Sequence, residues 1–436
     1  MAGGLQSAAN IPELRRRITF TLLMLAVYRA GVQIPTPGIN GEALAAFFEK
    51  NAGTLFGMFN MFSGGALENF SIFALGIMPY ISASIIFQLL TVVVPQLSAL
   101  SKEGEAGRRK ITQYTRYATV GLSVIQGLMI SVGLEGMVAP AGSEMIVIEP
   151  GWTFRLMTML TLTSGTAFIM WLGEQMTERG IGNGISMIIF AGIVARMPAA
   201  IVNTFKMVSS GEMTLIFLPI LLAMMAAVIF FIIFAETAQR RIPIQYAKRM
   251  IGRQLYGGQR SHLPLKINIP GVIPPIFASS IMMFPATIGG FIQIDWVQQL
   301  TSVLAWGSPL HNVLYVGLIV FFCFFYTAVT FNPVDVSENL KKNGGFVPGV
   351  RPGKKTAEFL DRVITRLTVI GALYISAVCV LPTMLVDQLN VPFYFGGTAL
   401  LIVVGVAIDT LSQIESHAIS RNYDGFLKSG RIKGRR

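Results

Sequence analysis

Apolar residues run along this chain in long blocks, and charged residues separate them. A helix needs roughly 20 mostly apolar residues to cross the core of a bilayer. Stretches free of Asp, Glu, Lys and Arg run from Asn69 to Ser101, Tyr117 to Leu134, Leu156 to Gly173, Gly180 to Ala195 and Met213 to Ala235. Others run from Ile267 to Ile294, Trp296 to Val334, Leu367 to Val386 and Gln388 to Ile408. A further block, Ile18 to about Gln33, is interrupted only by Arg29, which can snorkel toward its outer end. The pattern predicts ten membrane-spanning helices, numbered spans 1 to 10 in chain order. One stretch breaks it. In "MFNMFSGGALENFSIFALGIMPY", Met58 to Tyr80, the apolar run Leu55 to Phe62 is too short to span, and Ser63-Gly64-Gly65 is a poor helix interior. A re-entrant segment and an outer surface helix both fit it.

Composition sharpens the class. Hydrophobic residues fill 53% of 436 positions, charged residues only 13%, and the mean hydropathy is +0.61, so too little charge is present to cover a soluble surface. Cys323 and Cys379 both lie in long apolar segments, which predicts small core residues and no disulfide framework. His262, His311 and His417 are scattered without metal-ligand spacing, so neither a metal nor a cofactor is expected. Arg15-Arg16-Arg17 precedes span 1 without a small-residue cleavage site, which predicts an uncleaved first helix.

Charge also sets orientation. Of the 34 Lys and Arg, all but Arg29, Lys50, Arg155, Arg196 and Lys206 fall on the side that holds both termini. Positively charged loops stay cytoplasmic during insertion, so both termini are expected inside. Trp152 and Trp171 are placed as interfacial anchors at the two ends of span 4.

Laying span 2 on span 7 reveals a weak repeat. "GIMPYISASII" from Gly76 and "GVIPPIFASSI" from Gly271 share G-x-x-P-x-I-x-A-S-x-I. The two spans run in opposite directions, which predicts inverted halves of five helices each. Two cytoplasmic loops are too long for simple connectors. Residues 239–268 carry seven basic residues, no acid, and period-two stretches around Gly257-Gly258, predicting a projecting β-hairpin. Residues 332–366 mix seven basic with four acidic residues, and their Gly and Pro predict an extended tip. Surfaces of this size suit docking, with ribosomal RNA one candidate contact.

Catalytic machinery is not visible: there is no phosphate-binding loop, no paired carboxylates and no Ser-Lys or Ser-His arrangement. Glu174, Glu236 and Asp409 lie near cytoplasmic ends of spans, and Asp295 and Asp387 near outer ends, so energy for any transport must come from elsewhere. At mid-depth stand isoleucines beside Gly and Pro. Ile77 and Ile81 share one helix face, as do Ile185 and Ile189, while Ile276 and Ile402 come early in spans 7 and 10. Such pairs alone are ordinary packing, and a secondary transporter for a small solute or a membrane scaffold remain alternatives.

The motifs "MFNMFSGGAL", "FALGIMPYISASII", "KEGEAGRRKITQYTRY", "WLGEQMTERGIGNGIS", "FVPGVRPG" and "VPFYFGGTALLIVV" stand in order, and the chain from about Arg15 to Tyr423 resembles the SecY family of bacterial protein-conducting channels. The resemblance implies an all-α clamshell of ten helices in two inverted halves, with a short plug helix and a cytoplasmic β-hairpin. It divides the chain into a cytoplasmic segment 1–17, a first half 18–206, a second half 207–413 with cytoplasmic loops 239–268 and 332–366, and a basic tail 414–436. Six matching positions would form an apolar pore ring: Ile77, Ile81, Ile185, Ile189, Ile276 and Ile402. Residues 55–69 match the plug, re-entrant from outside, with Leu55, Phe56, Met58, Phe59, Met61, Phe62 and Leu67 as apolar fillers and Gly64 and Gly65 as hinges.

A lateral gate between spans 2 and 3 and spans 7 and 8 is also implied, with Ser82 and Phe284 lining it. Polar contacts from Gln88 and Ser279 across that seam are expected to help hold it shut. Arg241, Arg249, Arg351 and Lys354 fall in the loops that would dock the motor ATPase SecA and the ribosome. SecE and SecG as partner subunits, translocating preproteins and signal peptides as clients, and contact with membrane lipid are implied by resemblance alone.

Overall fold

The computed structural model describes residues 11–50, 60, 63–136, 145–210, 217–246, 249–251, 254–256, 260–291, 308–389 and 397–429. A helix stands in each of the ten charge-poor blocks. In chain order these are α1 (Pro12–Val32), a short α2 (Gly41–Lys50), α3 (Met78–Val93), α4 (Pro95–Lys102), α5 (Glu105–Glu135), α6 (Trp152–Arg179), α7 (Gly184–Val194) and α8 (Met197–Ser209). There follow α9 (Phe217–Thr237), strands β1 (Gln239–Tyr246), β2 (Arg249–Ile251), β3 (Gln254–Tyr256) and β4 (Arg260–Lys266), and helix α10 (Ile273–Phe291). The chain continues through α11 (Pro309–Thr330), α12 (Pro333–Lys342), strand β5 (Gly345–Phe346), α13 (Lys354–Leu389) and α14 (Gly397–Ser429).

Six described helical runs are long and apolar enough to cross a membrane, and the bent pair α3–α4 makes a seventh. Helices α1, α9 and α10 occupy the other three predicted spans. The protein is therefore a multi-pass membrane protein. It forms two compact units, one of Met1–Lys206, Ser280–Ser308 and Val406–Arg436, the other of Met207–Ser279 and Pro309–Gly405.

Several boundaries differ from the charge pattern for identifiable reasons. Span 2 is not helical from the start of its charge-free block at Asn69: residues 72–77 are turns, and α3 starts only at Met78. The helix then breaks at Val94, whose ψ of 115° is extended because Pro95 follows, and α4 leaves α3 at 98°. Charged stretches prolong helices. Helix α5 begins at Glu105 and α13 at Lys354, so Lys354 to Arg366 belongs to a helix and not to the predicted loop. Charge marks where a helix leaves lipid, not where its hydrogen bonds stop.

In the first unit α5 lies along α6 and α3 along α5. The approach to α6 is close: a Cβ at Gly165 would stand 1.8 Å from the Ile72 carbonyl oxygen. At one end of this unit a cluster joins Leu67, Phe70, Ala74 and Leu75 to Leu44, Ile130, Ile146, Val147, Phe154 and Leu162.

In the second unit the predicted hairpin is present. β1 pairs antiparallel with β4, from Gln239 opposite Lys266 to Gln245 opposite Arg260, and β2 pairs with β3. The sheet order is β4-β1-β5, so the second long loop contributes a strand to the hairpin of the first. Ile242, Leu265, Val347, Leu360, Val363, Ile364 and Leu367 pack beneath this sheet.

The Gly165 contact gives a direct test. Gly165→Ala should destabilise the purified protein by roughly 1–3 kcal/mol through overpacking. Gly121→Ala, where a Cβ would meet open space in α5, should be neutral or slightly stabilising. Equal melting temperatures for the two variants would contradict the close approach.

Candidate functional site

The unwound second part of the predicted plug, residues 63–70, is held by many bonds. Gly64 and Gly65 adopt φ of 68° and 87°, conformations that L side chains rarely take, so glycine is required there by backbone geometry. Gly64 is also crowded, since a Cβ there would lie 2.7 Å from the Gly192 Cα of α7. Tyr28 Oη donates to the Ser63 carbonyl at 3.1 Å, and Arg29 Nη1 donates to the Gly64 carbonyl at 2.9 Å. Arg29 thus turns inward onto the loop instead of snorkelling free. Asn60 Nδ2 donates to Glu68 Oε2 at 2.9 Å, and Arg196 donates to the same carboxylate. Leu67 is buried in the apolar cluster with Phe70 and Leu162. Leu55, Phe56, Met58, Phe59, Met61 and Phe62 lie outside the described residues.

Of the six isoleucines, four stand in the first unit and two in the second. Ile77 is the N-cap of α3, and its carbonyl accepts the Ile81 N–H at 3.1 Å, which puts both on the first turn of that helix. Both are buried, as is Ile189 in α7, while Ile185 is half-buried against α6. Asn183 caps α7 by accepting from the Ile185 and Ser186 N–H groups. In the second unit Ile276 lies on the first turn of α10 and Ile402 on the second turn of α14, both buried.

Ser82 and Gln88 are half-buried on α3, and Gln88 Nε2 donates to Ser84 Oγ at 3.3 Å, one turn earlier on the same helix. Ser279 departs from expectation. Its hydroxyl donates to the Pro275 carbonyl at 2.8 Å and lies 3.2 Å from Tyr315 Oη, which in turn lies 2.9 Å from Thr398 Oγ1. The chain Ser279–Tyr315–Thr398 ties α10, α11 and α14 within one unit, where the Ser279 hydroxyl finds these partners. Phe284 falls in α10 with its side chain outside the described residues.

Among the predicted docking residues, Arg241 is exposed on β1 opposite Pro264. Arg351 and Lys354 are exposed at the turn into α13, where Gly349 and Gly353 take φ of 82° and 98°. The Arg351 carbonyl accepts from Thr356 Oγ1 at 2.9 Å, and the Gly353 carbonyl accepts from Ser337 Oγ at 2.7 Å, which fixes the tip between α12 and α13. Arg249 lies on β2 with its side chain outside the described residues. Sequence reasoning missed β5, whose two residues carry no strand signal, and the roles of Glu68, Arg196, Tyr315 and Thr398. The lone charges of Glu68 and Arg196 at the edges of apolar blocks, and the polarity of Tyr315 and Thr398 inside them, were the available signal.

Comparison with known proteins matches this arrangement. The SecY family profile covers residues 71–411. The chain is 52% identical to the protein translocase subunit SecY of Pseudomonas aeruginosa, over 99% of this chain and 98% of that one. It is 52% identical to that of Escherichia coli strain K12, over 98% and 97%, and 46% identical to that of Aquifex aeolicus, over 98% and 100%. Among solved structures, one described as the structure of a protein conducting channel superposes with a TM-score of 0.68 at 17% identity, covering 96% of this chain and 95% of that one. The idle yeast Ssh1 complex bound to the yeast 80S ribosome gives 0.60 at 16%, covering 92% and 89%. These likenesses establish the shared fold, and the full-length relatives establish descent: the chain is a member of the SecY family.

Proposed function

We propose that this chain is the channel subunit of a protein translocase, moving unfolded secretory polypeptides across a bacterial cytoplasmic membrane and releasing transmembrane segments sideways into lipid. The observation that carries this reading is the near-complete match, at 52% identity, to relatives named protein translocase subunit SecY. The physical chemistry agrees with it. A constriction of isoleucines from both halves dewets and so resists ions, yet offers no hydrogen bond to a passing backbone. Such a lining is indifferent to sequence, as a channel for many substrates must be. An apolar segment leaving through the gate gains about 25 cal/mol per Å² on burial in lipid, which decides between insertion and passage.

Both termini lie on the cytoplasmic side, the halves meet at a hinge near residue 206, and residues 55–69 seal the pore from outside. The chain supplies no energy of its own. SecA and the ribosome dock on the sheet and tip that present Arg241, Arg249, Arg351 and Lys354, and SecE and SecG complete the assembly. The solved Ssh1 complex, described as ribosome-bound, supports a ribosome contact for this fold.

A stalled secretory chain should crosslink to probes at Ile81, Ile189 or Ile402, and labelling confined to lipid-facing positions such as Leu160 would refute the pore assignment. Deleting residues 56–66 should raise ion leak through reconstituted channels while leaving translocation possible; a tight deletion variant would remove the sealing role. Arg351→Lys keeps charge but loses the two-pronged guanidinium, and partner-driven transport should fall about ten-fold. Unchanged transport by that variant would mean that Arg351 acts as a point charge only.

A further inference from the structure

The loop Ser63–Phe70 is anchored in two chemically different ways. Leu67 and Phe70 are buried in the apolar cluster, an attachment that water does not compete with. Glu68 points instead to Arg196, at the junction of α7 and α8, and the two side chains remain 38% and 30% exposed. Between Asn51 and Ser101, Glu68 is the only charged residue. An isolated carboxylate in an apolar stretch is expensive unless it is paired. Its partner comes from 128 positions away, on the far side of the Gly64–Gly192 contact. Asn60, just ahead of the loop, braces the pair, donating to the Glu68 carboxylate while its Oδ1 accepts the Glu68 N–H at 3.0 Å.

The backbone of this loop is also under tension. Phe70 takes φ of 40°, a left-handed conformation that a bulky residue adopts only when its surroundings impose it. The Phe70 carbonyl accepts the Thr36 N–H at 2.8 Å, and Arg29 holds the Gly64 carbonyl, so the strained conformation is clamped near both ends. Of these attachments, the half-exposed ion pair is the one that water replaces most readily. A permanent structural tie would be better served by more buried apolar surface, whereas a tie that must open and re-form is well served by an ion pair at the edge of solvent.

We propose that the Glu68–Arg196 pair is a latch whose strength sets how readily an arriving polypeptide opens the channel, making these two residues determinants of substrate stringency. The proposal rests on the reading of residues 55–69 as a seal. Its test uses the complete channel complex reconstituted in planar bilayers and vesicles, with Glu68→Gln, Arg196→Gln, the double variant, Arg196→Lys and the 56–66 deletion compared side by side.

Gln at position 68 keeps the shape and the bond to Asn60 but removes the charge. Either Gln variant should raise the open fraction without substrate by about three- to ten-fold, the span between an exposed ion pair and a charge-assisted hydrogen bond. Both should also admit a preprotein whose signal segment has been made less apolar. The double variant should be no leakier than either single, because both remove the same interaction. Arg196→Lys, which keeps the charge, should restore most of the tightness. Tight single variants beside a leaky deletion would overturn the latch while leaving the seal intact. Additive leaks in the double variant would overturn the pairing. A tight deletion would overturn the seal itself.

Discussion

Hydrocarbon offers a peptide group nothing to bond to, and the departures from helix within the described spans are shaped by that fact. The irregular chain from Ser63 to α3 is the clearest case. Its N–H groups find acceptors at close range: Gly65 on the Asn60 carbonyl at 2.9 Å, Phe70 on Leu67 at 3.0 Å, Ser71 on Ala66 at 2.8 Å and Gly76 on Phe73 at 2.8 Å. Side chains satisfy others, with Ser63 Oγ accepting from Leu67, and Ser71 Oγ from Phe73. Ile72 reaches further and donates to the Ile34 carbonyl at 3.0 Å. Non-helical backbone survives here because it is buried in protein and closes its own hydrogen bonds.

The same constraint governs side chains. Thr115, Thr119, Thr327 and Thr368 each return their hydroxyl to a carbonyl one turn back, at 2.7–3.0 Å, so these four present little unsatisfied polarity to their neighbours. The Ser279–Tyr315–Thr398 chain does this between helices. Replacing Ser279 therefore acts first on its own unit, by leaving Tyr315 with one partner fewer, a loss of about 1–3 kcal/mol for a buried group. Isoleucine needs no such arrangement, which makes it a suitable lining for a passage that must not hold its cargo.

How much of this was legible follows from the range of each signal. Charge-free length marked every span, because the penalty for charge in lipid acts residue by residue. Helix ends were not legible in the same way: α5 and α13 carry Glu105 and Lys354 in their first turns, where lipid no longer constrains composition. The hairpin showed in the period-two run Arg240 to Tyr246, but β5 is only Gly345–Phe346 and gains its identity from pairing with β1. The ion pair Glu68–Arg196 was invisible for the same reason. Each residue was a lone charge in an apolar context, and only the fold brings the two together.

The repeat was the subtlest legible feature, and backbone geometry gives it substance. Gly76 and Gly271, the first residues of the two matched motifs, adopt φ of 56° and 63°, and in each case a helix begins two residues later, at Met78 and Ile273. A glycine free to turn left-handed, followed by prolines that pre-set the first helical turn, is a local instruction for starting a helix out of an irregular chain. The instruction works in both halves although most residues between the matched positions differ. Ile81 and Ile276 then stand at the same step, five residues past the glycine. An identical count from an identical turn sets each isoleucine at the same step of its own helix, without any contact having to specify it.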